Sequence, residues 1–246
     1  MTRFFEFVLS RLVGATKHRG ESLTQKERRA QEILVQNLDI RRRKTKEPII
    51  VAFIGSVGSG KSSVAQELAY HIGGTVIEVD QIRVQLRKQS ERYEGAQKIA
   101  ENMVREVVTL RGSNAVLDSD FSKRMKRASL REKARRAGVR LVFVRTVCDR
   151  DEMIGRMIIA HYENRPEDFF GGASSLWKGN QQIRGAVVKI REWWRQTPHH
   201  YSWSSQGGGK WRLKILPVSI FAEIDTTDPD LWKQEVQKCA EKLLAM

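Results

Sequence analysis

Residues 49–62 read IIVAFIGSVGSGKS. Six apolar residues in a row, bounded by Pro48 and Gly55, have the pattern of a short strand buried on both faces. Pro48 also stops any helix that precedes it. The next eight residues satisfy Gly-x-x-x-x-Gly-Lys-Ser, and a helix is expected at about 60–72. Phosphates need many N–H donors at short range, and Gly55, Gly58 and Gly60 let the backbone approach without Cβ atoms in the way. The expected cradle is Gly55, Ser56, Val57, Gly58, Ser59, Gly60, Lys61, Ser62 and Ser63. Lys61 would reach the β- and γ-phosphates of ATP, and the Ser62 hydroxyl would sit on Mg²⁺.

Outward from this turn the chain alternates. Further strands are expected at 75–79, 114–118, 139–147 and 219–224. Helices are expected at 80–90, 94–111, 122–137, 149–162 and 230–244. Alternation of this kind predicts an α/β fold, a three-layer sandwich with a parallel sheet covered on both faces. Residues 163–217 break the rhythm with a loop, a helix near 180–196 and a hairpin turning at Gly207-Gly208-Gly209, which reads as an inserted lid. Before the first strand, 4–13 read as a short apolar helix and 23–44 as a charged one. The organisation expected is a basic N-terminal helical arm, 1–47, and one domain, 48–246, carrying the insertion.

Composition narrows the function classes. The chain has 246 residues, a formal net charge of +15 and 40% hydrophobic residues, enough for a sizeable core. Cys148 and Cys239 lie far apart and form no CxxC pair, which argues against a zinc finger or a disulfide scaffold and for a reducing cytoplasm. No apolar stretch is long enough to span a bilayer. The charge is uneven: 1–47 carry +6, 118–149 carry +6 and 150–220 carry +5, whereas 48–117 carry +1 and the last 26 residues −3. An anionic partner is expected away from the cradle.

The second strand is expected to end in Asp80, with Arg83 one helical turn on, in the crevice where such sheets do their chemistry. A carboxylate there would accept a proton from an acceptor hydroxyl or orient the metal. Asp118 closes the apolar strand Ala115-Val116-Leu117 and has the form of a Mg²⁺-binding carboxylate. Asp80 and Asp118 therefore compete for the base and metal roles. Asp120 reads as a cap for the following helix.

The order GSVGSGKS, VDQIR, VLDSDFSKRMKR, VCDRDEMIGRM and FAEIDTT resembles the P-loop kinase-type proteins related to zeta toxins and phage polynucleotide 5′-kinases. The resemblance implies Asp80 as general base, Arg83 as a ligand of a substrate phosphate, and Asp118 and Arg127 on the acceptor side. It also implies Arg156 as the start of a lid reaching the transferred phosphate, and Asp225-Thr226 in the loop near the adenine base. Relatives often repeat the lid arginine one turn later, where this chain has Ile159 and Ala160. Arg150, Arg156 and Arg165 are the candidates for that charge.

Two features admit two readings each. Arg124, Arg127, Arg131 and Arg135 share one helix face, either a phosphate rail or a solvated surface. Trp177, Trp193, Trp194, Trp203 and Trp211 crowd the insertion among Arg184, Arg191, Arg195, Lys210 and Arg212, either stacking bases or packing a local core. His199-His200 lacks metal partners at ligand spacing and is expected in a turn or at the surface. Phe4, Phe5, Val8, Leu9 and Leu12 form an apolar face within 1–13, suited to docking on protein or to membrane-surface contact. The leading expectation is an ATP-dependent kinase acting on a hydroxyl-bearing, anionic acceptor, be it a metabolite, a nucleotide sugar or a nucleic-acid 5′-hydroxyl. The alternatives are a nucleic-acid-binding ATPase without group transfer and a membrane-surface NTPase.

Overall fold

The computed structural model describes residues 23–162, 181–205 and 209–246. The apolar run forms the central strand β1 (Ile49–Ile54), with all six residues buried. Strand pleating sends Ile50, Ala52 and Ile54 to one core and Ile49, Val51 and Phe53 to the other, which is why the run shows no polar alternation. The remaining sheet strands are β2 (Gly74–Glu78), β3 (Asn114–Asp118), β4 (Arg140–Val147) and β7 (Ala222–Asp225). Their order is β2-β3-β1-β4-β7 and every pairing is parallel. β5 (Tyr201–Ser204) and β6 (Lys210–Leu213) make a separate antiparallel pair.

Helices cover both faces. On one side lie α1 (Gln25–Gln36), α3 (Val79–Lys88), α4 (Ala96–Arg105) and α5 (Arg124–Ala137), around Ile99, Leu117, Phe121 and Phe143. On the other lie α2 (Lys61–Ile72) and α8 (Trp232–Leu244), around Leu68, Val144, Val236 and Leu243. Helix α6 (Arg150–Ile159) and helix α7 (Gln181–His200) flank the carboxyl ends of the strands through a third apolar cluster of Cys148, Met153, Met157, Trp193 and Tyr201. The result is a parallel α/β sandwich with helices on both faces.

Three expectations need correction. The charged segment expected as a helix over 23–44 is helical only over Gln25–Gln36, started by a capping box of Thr24 and Glu27. Beyond it the backbone runs along the sheet's lower edge, where other donors and acceptors satisfy it. Arg41 N–H donates to Thr75 Oγ1 (3.2 Å) and Lys44 N–H to Ile72 O (3.0 Å). The buried Asn114 accepts from Thr45 Oγ1 at 2.8 Å and Ile49 N at 3.0 Å. Residues 23–47 sit on the core, with Ala30 fully buried. Second, β2 stops at Glu78, so Asp80 lies in the first turn of α3. Val79, Ile82 and Leu86 bury as one helical face, and that packing overrides the strand-like alternation of VIEVD. Third, β7 begins at Ala222 and not at Ser219. The apolar segment 4–13, the loop 163–180 and most of the Gly207–Gly209 turn lie outside the described residues.

Candidate functional site

The turn between β1 and α2 is shaped by steric necessity. A Cβ on Gly55 would come within 2.1 Å of Thr146 Oγ1 and 2.6 Å of Ser59 Oγ. Gly58 and Gly60 adopt φ of 81° and 73°, which L side chains disfavour. A Cβ on Gly60 would also press on Thr226 at 3.1 Å. Beneath the turn, Ser59 Oγ donates to Ser56 O at 2.8 Å and shares a hydrogen bond with Thr146 Oγ1 at 2.8 Å. Ser56 and Ser59 are buried there, while Val57, Gly58, Gly60, Lys61, Ser62 and Ser63 face a cavity of about 580 Å³. Lys61 Nζ folds over the turn to Ser56 O at 2.7 Å. Free backbone N–H groups, a helix N-terminus and a lysine over a glycine-rich turn fit a polyphosphate.

The acidic residues gather on the next wall. Asp80, Arg83, Asp118 and Asp120 line the same cavity. Asp80 is exposed and pairs with Arg83 one turn away, at 2.5 Å. Asp118, at the end of β3, has its carboxyl pushed up by burial and by the charge of Asp80, against the pull of Ser62 and Lys61. Glu78, beside them, is raised by burial and by the charge of Asp118. A divalent cation between Ser62 and Asp118 would relieve this crowding of negative charge, so the pair fits Mg²⁺. Among the described residues no group of three or more His, Cys, Asp or Glu is placed to hold a metal without help from phosphates or water.

Arg156 faces the cavity from α6, with its guanidinium fixed to the loop after β7. It donates to Thr226 Oγ1 at 3.2 Å, to Thr227 O at 3.3 Å and to Thr226 O. Thr226 in turn donates to Ser59 O at 3.2 Å, locking that loop onto the cradle. Asp225 lies outside the cavity lining and accepts from Thr227 N (2.8 Å) and Thr227 Oγ1 (2.6 Å).

Arg127 is buried and turned away from the cavity. It donates to Phe121 O at 2.9 Å and to Ser122 O, bracing the loop after β3. Its neighbour Lys126 faces the cavity instead, with Lys123. The arginine row on α5 is largely committed. Arg135 and Arg136 pair with Glu132, and Arg131 lies over the Phe143 ring at 5.3 Å. Arg150 stacks among Trp193, Trp211 and Tyr201 at 4.8, 5.1 and 5.9 Å, away from the cavity. These aromatic residues therefore pack a local core, although Trp194 and Trp203 remain exposed. Arg165 and Trp177 lie outside the described residues.

Asp120 caps no helix. Its carboxylate accepts from Gly55 N at 3.3 Å, Ser122 N at 3.0 Å and Ser122 Oγ at 2.6 Å. It also meets His200 Nε2 at 3.3 Å. His200, expected at a turn or surface, is 2% exposed at the end of α7, where it meets Asp120. Burial raises the Asp120 carboxyl, but the hydrogen bond and charge of His200, with Lys61 and Ser122, outweigh it and hold the group below the usual carboxylate range. The sequence gives no signal for a pair 80 residues apart. Lys189, which the sequence left unassigned, enters the cavity from α7 with Arg195 and His199, read from the sequence as an insertion-surface cation and a turn or surface residue.

Among known proteins, residues 50–168 match the AAA domain family. No curated protein matches the chain significantly. A candidate kinase from Chloroflexus aurantiacus J-10-fl superposes with a TM-score of 0.52 at 14% identity, over 81% of this chain and 100% of that one. A gluconokinase from Sinorhizobium meliloti 1021 gives 0.48 at 17% identity, over 83% and 96%. The Mycobacterium tuberculosis APS kinase CysC, solved with AMPPNP and APS, gives 0.47 at 17%, over 79% and 98%. With the strand order and the glycine-rich turn, the first likeness identifies the fold as that of P-loop kinases.

Proposed function

We propose that the chain is an ATP-dependent kinase that transfers the γ-phosphoryl of Mg-ATP to a hydroxyl of an acceptor. The observation that carries this reading is one cavity shared by the cradle, Asp80, Arg83, Asp118 and Arg156. Cradle N–H groups and Lys61 bind and orient the donor phosphates. Ser62 and Asp118 would hold Mg²⁺, which would supply charge neutralisation for the donor phosphates. Asp80 takes the acceptor's proton as its oxygen bonds to the γ-phosphorus and the bond to the β-phosphate oxygen breaks, releasing ADP. Arg83 pairs with Asp80 and holds its carboxylate in place. Arg156, Thr226 and Asp225 belong to the donor side, where Arg156 adds charge near the transferred group. Asp80 is favoured over Asp118 as base because Asp118 lies beside Ser62 and Lys61, whereas Asp80 is open to an incoming hydroxyl. The resemblance to zeta toxins and polynucleotide 5′-kinases enters through Asp80-x-x-Arg83 and leaves the acceptor to be found.

The test is incubation with γ-labelled ATP, Mg²⁺ and either a metabolite extract or a 5′-hydroxyl oligonucleotide, followed by location of the label. Wild type is expected to label an acceptor, and Asp80→Asn to slow transfer by about 10²–10⁴-fold. Transfer by Asp80→Asn at the wild-type rate would sink the base assignment. The exposed indoles of Trp194 and Trp203 favour a second reading, nucleic-acid binding without group transfer. Salt-dependent oligonucleotide binding with no label transferred would select it.

A further inference from the structure

Helix α7 is hydrogen-bonded to the core at both ends. At its start Gln182 donates to Ile158 O at 3.0 Å and to Ala160 O at 2.6 Å, tying it to the end of α6. At its far end the imidazole of His200 meets Asp120 at 3.3 Å. An ionised carboxylate only accepts, so His200 Nε2–H is the donor of that bond. Between the two ends Lys189, Glu192, Arg195 and Gln196 face the cavity, and where they stand depends on both. His200 itself is buried and outside the cavity lining, so it touches no substrate there. Asp120 is firmly held: Ser122 N and Oγ donate to its carboxylate, and Arg127 braces Ser122 O. The same carboxylate accepts from Gly55 N–H, the first amide of the cradle. On the other side His200 O accepts from Lys214 N at 2.8 Å, and Lys214 Nζ donates to Pro198 O at 2.6 Å, which roots the imidazole in the segment after β6. A displacement of α7 or of the hairpin therefore reaches the cradle through two hydrogen bonds on one carboxylate, whose side chain is 17% exposed.

We propose that Asp120 and His200 are positioning residues: His200 acts through Asp120 on the Gly55 N–H, and so keeps α7, with the side chains it sends into the cavity, in register with the cradle. That this register serves donor and acceptor rests on the reading of the cradle as the Mg-ATP site; the link between α7 and the cradle does not. Coupling of this kind is reciprocal, so a ligand that tightens the cradle tightens α7, and loss of the link loosens both. A pair that only stabilised the fold would carry no such coupling.

The test measures amide hydrogen exchange on the full chain, free and with Mg²⁺ and a non-hydrolysable ATP analogue, beside the calorimetric affinity for that analogue. In wild type the analogue is expected to slow exchange over 189–200 by about fivefold or more. His200→Leu keeps the bulk and removes the donor. Its affinity for the analogue should fall about tenfold, the loss expected for one hydrogen bond to a charged group, and the slowing over 189–200 should disappear. His200→Gln, whose amide offers an N–H in place of Nε2, should restore most of both. If His200→Leu fails to fold, His200→Asn, with an N–H too short to reach, takes its place. Thr197→Val removes a buried hydrogen bond to Trp193 O (3.0 Å) without touching Asp120. It should lower Tm and yet keep wild-type affinity and coupling. Slowing in His200→Leu equal to that in wild type, no slowing in wild type, or a His200→Gln variant no better than His200→Leu would overturn the inference. Coupling lost equally in Thr197→Val would do the same, since simple destabilisation would then explain it. If the analogue fails to bind wild type, the kinase reading fails, and the free chain tests the link alone. Exchange over 55–62 should then be faster in His200→Leu than in wild type, with His200→Gln close to wild type. Equal rates in all three would overturn the inference there too.

Discussion

The cradle and the rest of the cavity lining are built in different ways. The cradle is made by backbone: glycines at φ of 81° and 73°, a helix N-terminus and a strand buried on both faces, all within fourteen consecutive residues. The rest of the lining is made by side chains from segments far apart in sequence, around Lys123 and Lys126 and along 189–199 of α7. The first is nearly neutral in sequence and the second strongly basic. On the proposed kinase reading, a donor whose charge is met by N–H groups and one lysine leaves the surplus positive charge available to the acceptor. The joint between the halves is Asp120, which touches Gly55 on one side and His200 on the other.

Breaking either half alone should give distinct losses. The largest is expected from Lys61→Ala, which removes the cradle's side-chain charge. Transfer should fall by about 10²–10³-fold or more, as for removal of a placed electrostatic group, measured as ADP formed with acceptor present. Cutting the joint with Asp120→Asn comes next. It leaves His200 buried beside a neutral amide and should cost about 1–3 kcal/mol in denaturant unfolding. The pH dependence carries a sign. The Asp120 carboxyl is depressed in the folded state, so its contribution is full above the ordinary Asp value of about 4. It is lost as pH falls through the lower folded value. Wild type should therefore lose stability more steeply than Asp120→Asn as pH drops below about 4. Gly60→Ala should do least, about 1–2 kcal/mol for a left-handed backbone and a crowded Thr226, read as a lower Tm with weaker ATP binding.

The same contrast explains what could be read from the sequence. The cradle, the alternation of strands and helices and Asp118 at a strand end are local patterns, and local patterns survive translation into three dimensions. Asp80 was legible as a site residue at the junction of strand and helix, but the junction itself was set one residue too late, because only the burial of Val79 with Ile82 and Leu86 decides where β2 stops. The exchange of Arg127 for Lys126 at the cavity turns on which face of α5 meets Phe121, a tertiary fact. The Asp120–His200 pair and the Arg150 aromatic cage depend on contacts that no spacing encodes. Family resemblance pointed to Arg83, Asp118 and Arg127 on the acceptor side; of these the fold brings Arg83 and Asp118 to the cavity and turns Arg127 away from it.

The most direct test of the account is a balance sheet for wild type with γ-labelled ATP, Mg²⁺ and an acceptor extract: ADP formed against label recovered in organic form. Transfer from the cradle to an acceptor predicts close to one acceptor-bound label for each ADP, with little inorganic phosphate. Label recovered wholly as inorganic phosphate, at a rate the extract does not change, would contradict it.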